Sequence, residues 1–452
     1  MAALSRYVRR EIAPMLSLGA SLALGELGWM AMGIVDTLMA GRLGAAALGA
    51  GSLGATVSYP VAICASGMLL GMDTLVAQSH GAGDHADSRR TLVNGVWLGL
   101  ALSPVVALAI LGLVPVLRAA GANSGVMALL APYLRALLWG MPGLMLYTAF
   151  RRYLQAVDFA GPVVFVMVSA NLVNLAGNWA LMFGHWGAPA LGLEGSGLAT
   201  SIARTYMAAF LLGAIVWRER RTGGRWFRAC WRPAVARLRL LVALGLPAAG
   251  QILFEGAVFA IVSALAARLD EASLAAHSIA LQVIATTYMV PLGIGSAAAV
   301  RVGHAIGRKD RAAASTAGWT ALLAGAVFMA GAGVVLWVAP RWLAHLFIAD
   351  PAVIRLAAVL LRIAALLELF DGLQTVATGA LRGLGDTRSP MLAHLAGYWM
   401  AGLPVTYVLC FPLGWGVRGI WVGLTSAIMV VGVVLVMVWE RRTGLGRGRP
   451  GQ

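Results

Sequence analysis

The sequence predicts an all-α polytopic membrane protein of about twelve transmembrane helices in two pseudo-symmetric six-helix lobes. Three observations carry that expectation. First, the chain is 60% hydrophobic and only 12% charged, with a mean hydropathy of +0.82, whereas soluble domains are about half apolar and about a quarter charged. Second, apolar stretches of about 20–28 residues recur from end to end, each long enough to cross a hydrocarbon core of about 30 Å. Third, the second half repeats the first in one register. In lipid, only helices satisfy their own backbone without closing a barrel.

The spans are expected near residues 14–40, 47–72, 91–116, 127–150, 161–184, 194–217, 240–267, 274–299, 316–339, 352–380, 390–413 and 418–439. Arginines punctuate them in alternate loops. Arg6, Arg9 and Arg10 precede the first span, Arg89 and Arg90 follow the second, and Arg151 and Arg152 follow the fourth. The loop after the sixth holds Arg218, Arg220, Arg221, Arg225, Arg228, Arg232, Arg237 and Arg239. Arg308, Lys309 and Arg311 follow the eighth span, Arg382 and Arg388 the tenth, and Arg441, Arg442, Arg447 and Arg449 end the chain. The intervening loops carry few bases, such as Arg42, Arg118, Arg268, Arg341 and Arg418. An excess of Arg and Lys in alternate loops marks the cytoplasmic side, so both termini are expected there. The formal net charge of +16 is therefore read as topology, and no nucleic-acid partner is expected. Pro142, Pro247, Pro291 and Pro404 are expected to bend helices and free carbonyls.

The repeat aligns Leu18 with Leu244, a shift of 226 residues. At that shift Gly19 meets Gly245, Arg42 meets Arg268, Gly81 meets Gly307, Asp84 meets Asp310 and Gly197 meets Gly423. Thr200 meets Ser426. A six-span repeat keeps its orientation, so the lobes are related by an axis along the membrane normal, an arrangement found in secondary transporters. The expected parts are an N-lobe (residues 1–220), a basic linker (221–239), a C-lobe (240–440) and a basic tail (441–452). An amphipathic piece around "RWFRACWRPAVARLRLL" is expected at the membrane surface.

Several chemistries are excluded. The only lysine, Lys309, lies in "GRKDR", and no G-x-x-x-x-G-K-[ST] loop exists to hold nucleotide phosphates. GxSxG and HExxH are also missing, so an enzyme is not expected, nor is a bound cofactor. Cys64, Cys230 and Cys410 are odd in number and scattered, against a disulfide framework.

What remains is a set of acids stranded in apolar spans: Asp36, Glu255 and Asp371, then Glu26, Asp73 and Glu368. A charge at the centre of a membrane helix costs about 2.5–3.5 kcal/mol on insertion scales, and acids kept at that cost mark ion pathways. In the repeat Glu255 lies opposite Trp29 and Asp36 opposite Val262, so these acids are not duplicated scaffold. Asp36 paired with Arg204 or Arg301 is the rival structural reading. Asn174 and Asn178 share a helix face, where helix-to-helix bonding competes with an ion role. Glu368 and Asp371 also share a face, and like charges there suit a proton carrier. Glu368 bridged to Arg362 is the alternative, and Asp73 reads as an interfacial capping or gating residue.

The stretches "GIVDTLMAGRLG", "GMDTLVAQSHGAGD", "NLVNLAGNWALMFGHWGAPALGLEGSGLATSI", "LAAHSIALQVIATTYMVPLGIGSAAAVRVGHAIG" and "LFDGLQTVATGALRGLGDTRSPM" resemble the multidrug and toxic compound extrusion (MATE) family, in its NorM-like bacterial branch. The resemblance runs over nearly the whole chain in family order. It implies a MATE-like fold and export of cationic, often amphipathic, toxic compounds in exchange for protons or sodium. It implies that Asp36 is the N-lobe acid, accompanied by Asn174 and Asn178, and that Glu255 and Asp371 are the C-lobe pair. Glu26 and Glu368 depart from the family pattern and, with Thr200, are additional candidates. The resemblance places Leu367 where sodium-coupled relatives offer a ring or hydroxyl, so it leaves both H+ and Na+ as coupling ions.

The expected cargo is therefore a cationic small molecule moved by alternating access, with H+ or Na+ at the acids and lipids around a monomer. Trp29, Met32, Phe254, Tyr288 and Met289 are candidate cavity residues, since soft, adaptable surfaces suit promiscuous binding. The expected location is the bacterial inner membrane. A lipid or lipid-linked saccharide flippase is the alternative, disfavoured because an anionic cargo calls for more bases than Arg204, Arg301 and Arg362. An ion channel would need no two-lobed repeat with unlike acids.

Overall fold

The computed structural model describes residues 2–119, 121, 123–222 and 231–444, and the regular structure among them is all helical. The first half forms α1 (Ala2–Gly41), α2 (Ala45–Met68), α3 (Gly71–Gly81), α4 (His85–Ala119), α5 (Ser124–Leu138), α6 (Met141–Ala156), α7 (Gly161–Phe183) and α8 (Leu193–Arg221). The second half forms α9 (Val235–Ala266), α10 (Glu271–Gly307), α11 (Arg311–Val338), the short α12 (Pro340–His345) and α13 (Pro351–Leu384). Then come α14 (Arg388–His394), a π-helical stretch (Leu395–Gly402), α15 (Leu403–Cys410) and α16 (Gly416–Thr443).

Among the described residues, nine helices are long and apolar enough to cross a membrane, or ten when α5 and α6, bent by 46°, count as one span. The other two expected spans are helical but compromised. α13 carries Arg355, Arg362, Glu368 and Asp371 along its apolar run. The span at 390–413 is broken into α14, the π-helix and α15. Side-chain caps punctuate the ends. Asn123, Asp270, Asp310 and Asp350 each accept a backbone N–H from the first turn that follows, satisfying donors no helix can pair internally. Pro247 and Pro291 lie inside α9 and α10. Pro142 instead opens α6, where a missing N–H costs nothing. Pro404 stands inside a continuous helical run, where the π-helical stretch passes into α15 through Gly402 and Leu403, both in helical conformation.

The chain divides into two compact units, Leu24–Ala249 and Met1–Ala23 with Gly250–Gln452. The division falls inside α1 and inside α9, so the opening segment of each long helix packs with the opposite half of the sequence. Ala23 and Ala249 are the same position in the 226-residue register. Each exchanged segment is seated by close backbone approach. In the 24–249 unit, a Cβ on Gly245 would run into the Met68 carbonyl, and one on Gly71 would lie 2.9 Å from the Leu241 carbonyl oxygen. In the other unit, a Cβ on Gly293 would lie 2.6 Å from the Gly19 carbonyl oxygen. Small residues that let backbones touch are how helices associate in lipid, where dispersion replaces the hydrophobic effect.

Within the 24–249 unit, α8 packs on α5, α6 and α7. Within the other, α13 packs on α10, α11 and α16. These two helices present the polar clusters described next. Residues 223–230, and with them Arg225, Arg228, Cys230 and the first six residues of the expected amphipathic linker piece, lie outside the described residues, as does the tail from 445, while the end of that piece, from Val235, is the first part of α9. From Trp231 the linker runs to α9 without helix. Cys64 and Cys410 are free thiols.

Candidate functional site

In the 24–249 unit, α1, α7 and α8 bring Asp36, Asn174, Asn178 and Thr200 together. Asn174 and Asn178 are fully buried on one face of α7, as their i,i+4 spacing requires. Asn178 Nδ2 donates to Asp36 Oδ1 (2.6 Å) and Thr200 Oγ1 to Asp36 Oδ2 (3.2 Å). Asn178 Nδ2 also reaches Asn174 Oδ1 (3.2 Å), and Asn174 Nδ2 reaches Thr200 Oγ1 (3.3 Å). The carboxylate is thus held by neutral donors from two other helices. Asn178 Oδ1 is buried and has no donor. Arg204, one turn beyond Thr200 on α8, makes no ion pair with Asp36 among the described residues; its guanidinium lies over the Trp29 ring, 5.9 Å from the centroid.

In the unit containing residues 250–452, the acids fall into a second cluster. Glu368 is fully buried and accepts from Thr287 Oγ1 at 2.6 Å, while its Oε2 is buried with no donor. It makes no ion pair with Arg362 among the described residues. One turn on, Gln374 Nε2 donates to Asp371 Oδ1 and to Tyr398 Oη, both at 2.8 Å. Glu255 on α9 stands 3.8 Å from His394 Nε2. His394 Nδ1 lies 2.8 Å from the Pro390 carbonyl oxygen. A carbonyl can only accept, so Nδ1 carries the hydrogen and Nε2 of the neutral ring presents a lone pair. Gln251 Nε2 approaches that same atom at 3.4 Å. A carboxylate and a lone pair facing each other leave room for one proton or cation to join them.

The remaining acids go elsewhere. Glu26 is bonded to Arg151 of α6, and Asp73 is paired with Arg152 at 3.2 Å. These arginines were expected in a loop after the fourth span; they stand in the last turns of α6 and reach back to acids on α1 and α3. Glu26 is therefore not brought to the Asp36 cluster. Arg237 is paired with Asp87, and Arg89 lies 3.0 Å from Glu219. Of the expected cavity residues, Trp29 lies beside Arg204, while Met32 is packed in the hydrophobic core of its unit. Phe254 meets Trp399 edge-on, and its carbonyl accepts from Trp399 Nε1 at 3.1 Å. Tyr288 and Met289 are half-buried on α10, next to Thr287.

Sequence reasoning missed Thr287, Gln374, His394 and Tyr398. All are neutral polar groups, invisible to a search for charge. The available signals were spacing: Gln374 is one turn from Asp371, and His394 and Tyr398 are four apart.

The MatE family model matches residues 22–180 and again residues 247–408, once in each half. The chain belongs to the MatE family. Among curated proteins it is 38% identical over 441 residues to a probable multidrug resistance protein NorM of Mesorhizobium japonicum, covering 96% of this chain and 94% of that protein. It is 36% identical over 446 residues to the NorM-named protein of Pseudomonas putida, covering 98% and 96%. Among solved structures, a eukaryotic MATE transporter, AtDTX14, superposes with a TM-score of 0.86 at 20% identity, covering 97% and 98%. A variant of the Vibrio cholerae MATE transporter VcmN gives 0.86 at 17% identity, covering 98% and 99%. The chain is thus a multi-pass membrane protein of the MatE family. Among the described residues no three His, Cys, Asp or Glu side chains converge as a metal site. The Asp36 cluster offers carboxylate, amide and hydroxyl oxygens, the donor type that hard cations take.

Proposed function

We propose that this MatE protein exports cationic, amphipathic toxic compounds from the bacterial cytoplasm across the inner membrane, in exchange for protons or sodium. Coupling ion and cargo compete for the carboxylates Asp36, Glu255 and Asp371, with Asn174, Asn178 and Thr200 holding Asp36 and Glu368 as an accessory acid. The carrying observation is that each cluster keeps a buried oxygen without a donor, Asn178 Oδ1 and Glu368 Oε2. A buried acceptor left unpaired costs about 1–3 kcal/mol, and a proton or cation removes that cost. The NorM-named relatives support the drug-efflux reading.

The charge balance supports a cationic cargo over a lipid-linked anion. Arg89, Arg151, Arg152 and Arg237 are each matched to a carboxylate, whereas the three acids of the proposed site make no pair with arginine among the described residues. Ion and cargo, both positive, are stabilised by the same charges, so their binding is thermodynamically linked. Occupancy neutralises a buried carboxylate and lowers the cost of closing the protein around it. In the unit with Glu255, the His394 lone pair and the Asp371 charge both favour a positive guest. Two lobes that open alternately to either face then complete the exchange.

The test is efflux of a fluorescent cation from everted vesicles. Glu255→Gln and Asp371→Asn should each abolish ion-driven efflux while reaching the membrane at wild-type level. Normal coupled transport by both variants overturns the proposal.

A further inference from the structure

We propose that the cleft between the start of α7 and the end of α8 binds an anionic phospholipid, with an acyl chain in the cleft and its phosphate on Arg218 and Arg221. The cleft holds about 520 Å³. Its walls are two aromatic stacks, Phe165 on Phe210 (centroids 5.3 Å apart) and Phe159 on Trp217 (6.1 Å). Its floor is Gly161 and Gly213, where an added Cβ would meet nothing within 4 Å. Phe165 is 59% and Trp217 50% exposed, so the cleft opens outward, the direction of lipid on a spanning helix. Rigid aromatic walls around a glycine floor make a slot that an alkyl chain fills and that a water-soluble ligand has no reason to enter.

Charge sits at one end of this slot. The Arg218 guanidinium lies 5.6 Å from the Phe159 ring centroid, with Nη2 bonded to the Val157 carbonyl at 3.2 Å. The Arg221 guanidinium lies 4.3 Å from the Trp217 ring centroid. Neither is in a salt bridge among the described residues. Both heads are therefore positioned by ring faces and a carbonyl, which leaves N–H groups for phosphate oxygens. The N-terminus of the 23-residue α7 opens at the same end, and its dipole adds positive potential where the phosphate would lie. Apolar slot and cationic rim together fit a lipid with a charged phosphate, and not a free phosphate.

The test measures binding of phosphatidylglycerol, phosphatidylcholine and glycerol 1-phosphate to the detergent-purified full chain by native mass spectrometry. Phosphatidylglycerol should bind in preference to phosphatidylcholine, and glycerol 1-phosphate should not bind. Each of Arg218→Gln and Arg221→Gln should weaken phosphatidylglycerol binding about fivefold, near the value of one basic residue at an anionic surface. Gly213→Leu should abolish phosphatidylglycerol binding by filling the slot that takes the acyl chain, with thermal stability unchanged in lipid-free detergent because the new Cβ meets nothing within 4 Å. Should Gly213→Leu fail to fold, Arg221→Gln, an exposed residue, decides alone. Equal binding of the two lipids, retention by Gly213→Leu, no loss in Arg221→Gln, or equal binding of glycerol 1-phosphate overturns the proposal.

Discussion

Replacing Glu26 by Gln separates a structural acid from a transporting one. The structure bonds Glu26 to Arg151, whose side chain is 9% exposed against 21% for Glu26. Removing one partner of a buried pair costs about 3–5 kcal/mol, because the other charge is left uncompensated. The partial exposure of Glu26 brings this to about 2–3 kcal/mol, as solvent screens part of the interaction. At about 2–4 °C per kcal/mol for a domain of 150–250 residues, Glu26→Gln should lower the melting temperature of the detergent-purified protein by about 4–12 °C. The double variant Glu26→Gln/Arg151→Met removes both charges and should recover at least half of that loss. Efflux per folded molecule should survive in both. Glu26→Gln that keeps its melting temperature yet loses ion-driven efflux would refute the reasoning and return Glu26 to the coupling acids.

Three further outcomes follow from packing, capping and the acid cluster. In Gly379→Ala the new methyl runs into the Gly295 carbonyl where α13 crosses α10, and overpacking costs about 1–3 kcal/mol; the same change at Gly331 meets nothing within 4 Å. Gly379→Ala should therefore melt several degrees lower than Gly331→Ala, and equal melting would contradict the crossing. Asp270 caps α10 through the Ser273 backbone and side chain, which hold its carboxyl below the usual carboxylate range. A depressed folded value means the stabilisation is present above the ordinary value of about 3.9 and is lost as pH falls towards the depressed one. The stability gap between wild type and Asp270→Ala should thus be constant near neutrality and shrink below about pH 4; a gap that grows on acidification would contradict this. Asn178→Leu removes the donor to Asp36 Oδ1 and should weaken cargo binding while the protein still folds, which a binding titration on purified protein checks.

Much of this molecule can be read from its residues alone, and the exceptions share a physical origin. Hydropathy alone locates the nine helices, or ten with the bent pair, that are long and apolar enough to cross a membrane among the described residues, because lipid tolerates little else. The register joining Gly19 to Gly245 also anticipates the symmetric exchange at Ala23 and Ala249, although the exchange itself needs backbone contacts to be seen. Asn174 and Asn178 share a helix face as their spacing suggests, and they meet Asp36 as the family resemblance implies, with Thr200 joining them. Glu26 and Asp73 looked unpartnered because their arginines lie more than 75 residues away in sequence, at the end of a helix assigned to a loop. His394 and Tyr398 are four apart, but their helix turns π-helical at Leu395, so that spacing alone does not place their side chains.

In the proposed exchange, ion and cargo compete for the carboxylates Asp36, Glu255 and Asp371. Its most direct test is equilibrium binding of a fluorescent cation to the purified chain, titrated with sodium at fixed pH and with protons at fixed sodium. One of the two ions should raise the apparent Kd of the cation in proportion to its own occupancy, and Glu255→Gln with Asp371→Asn should erase that dependence. Cation binding that is tight in wild type and indifferent to both ions would contradict the account.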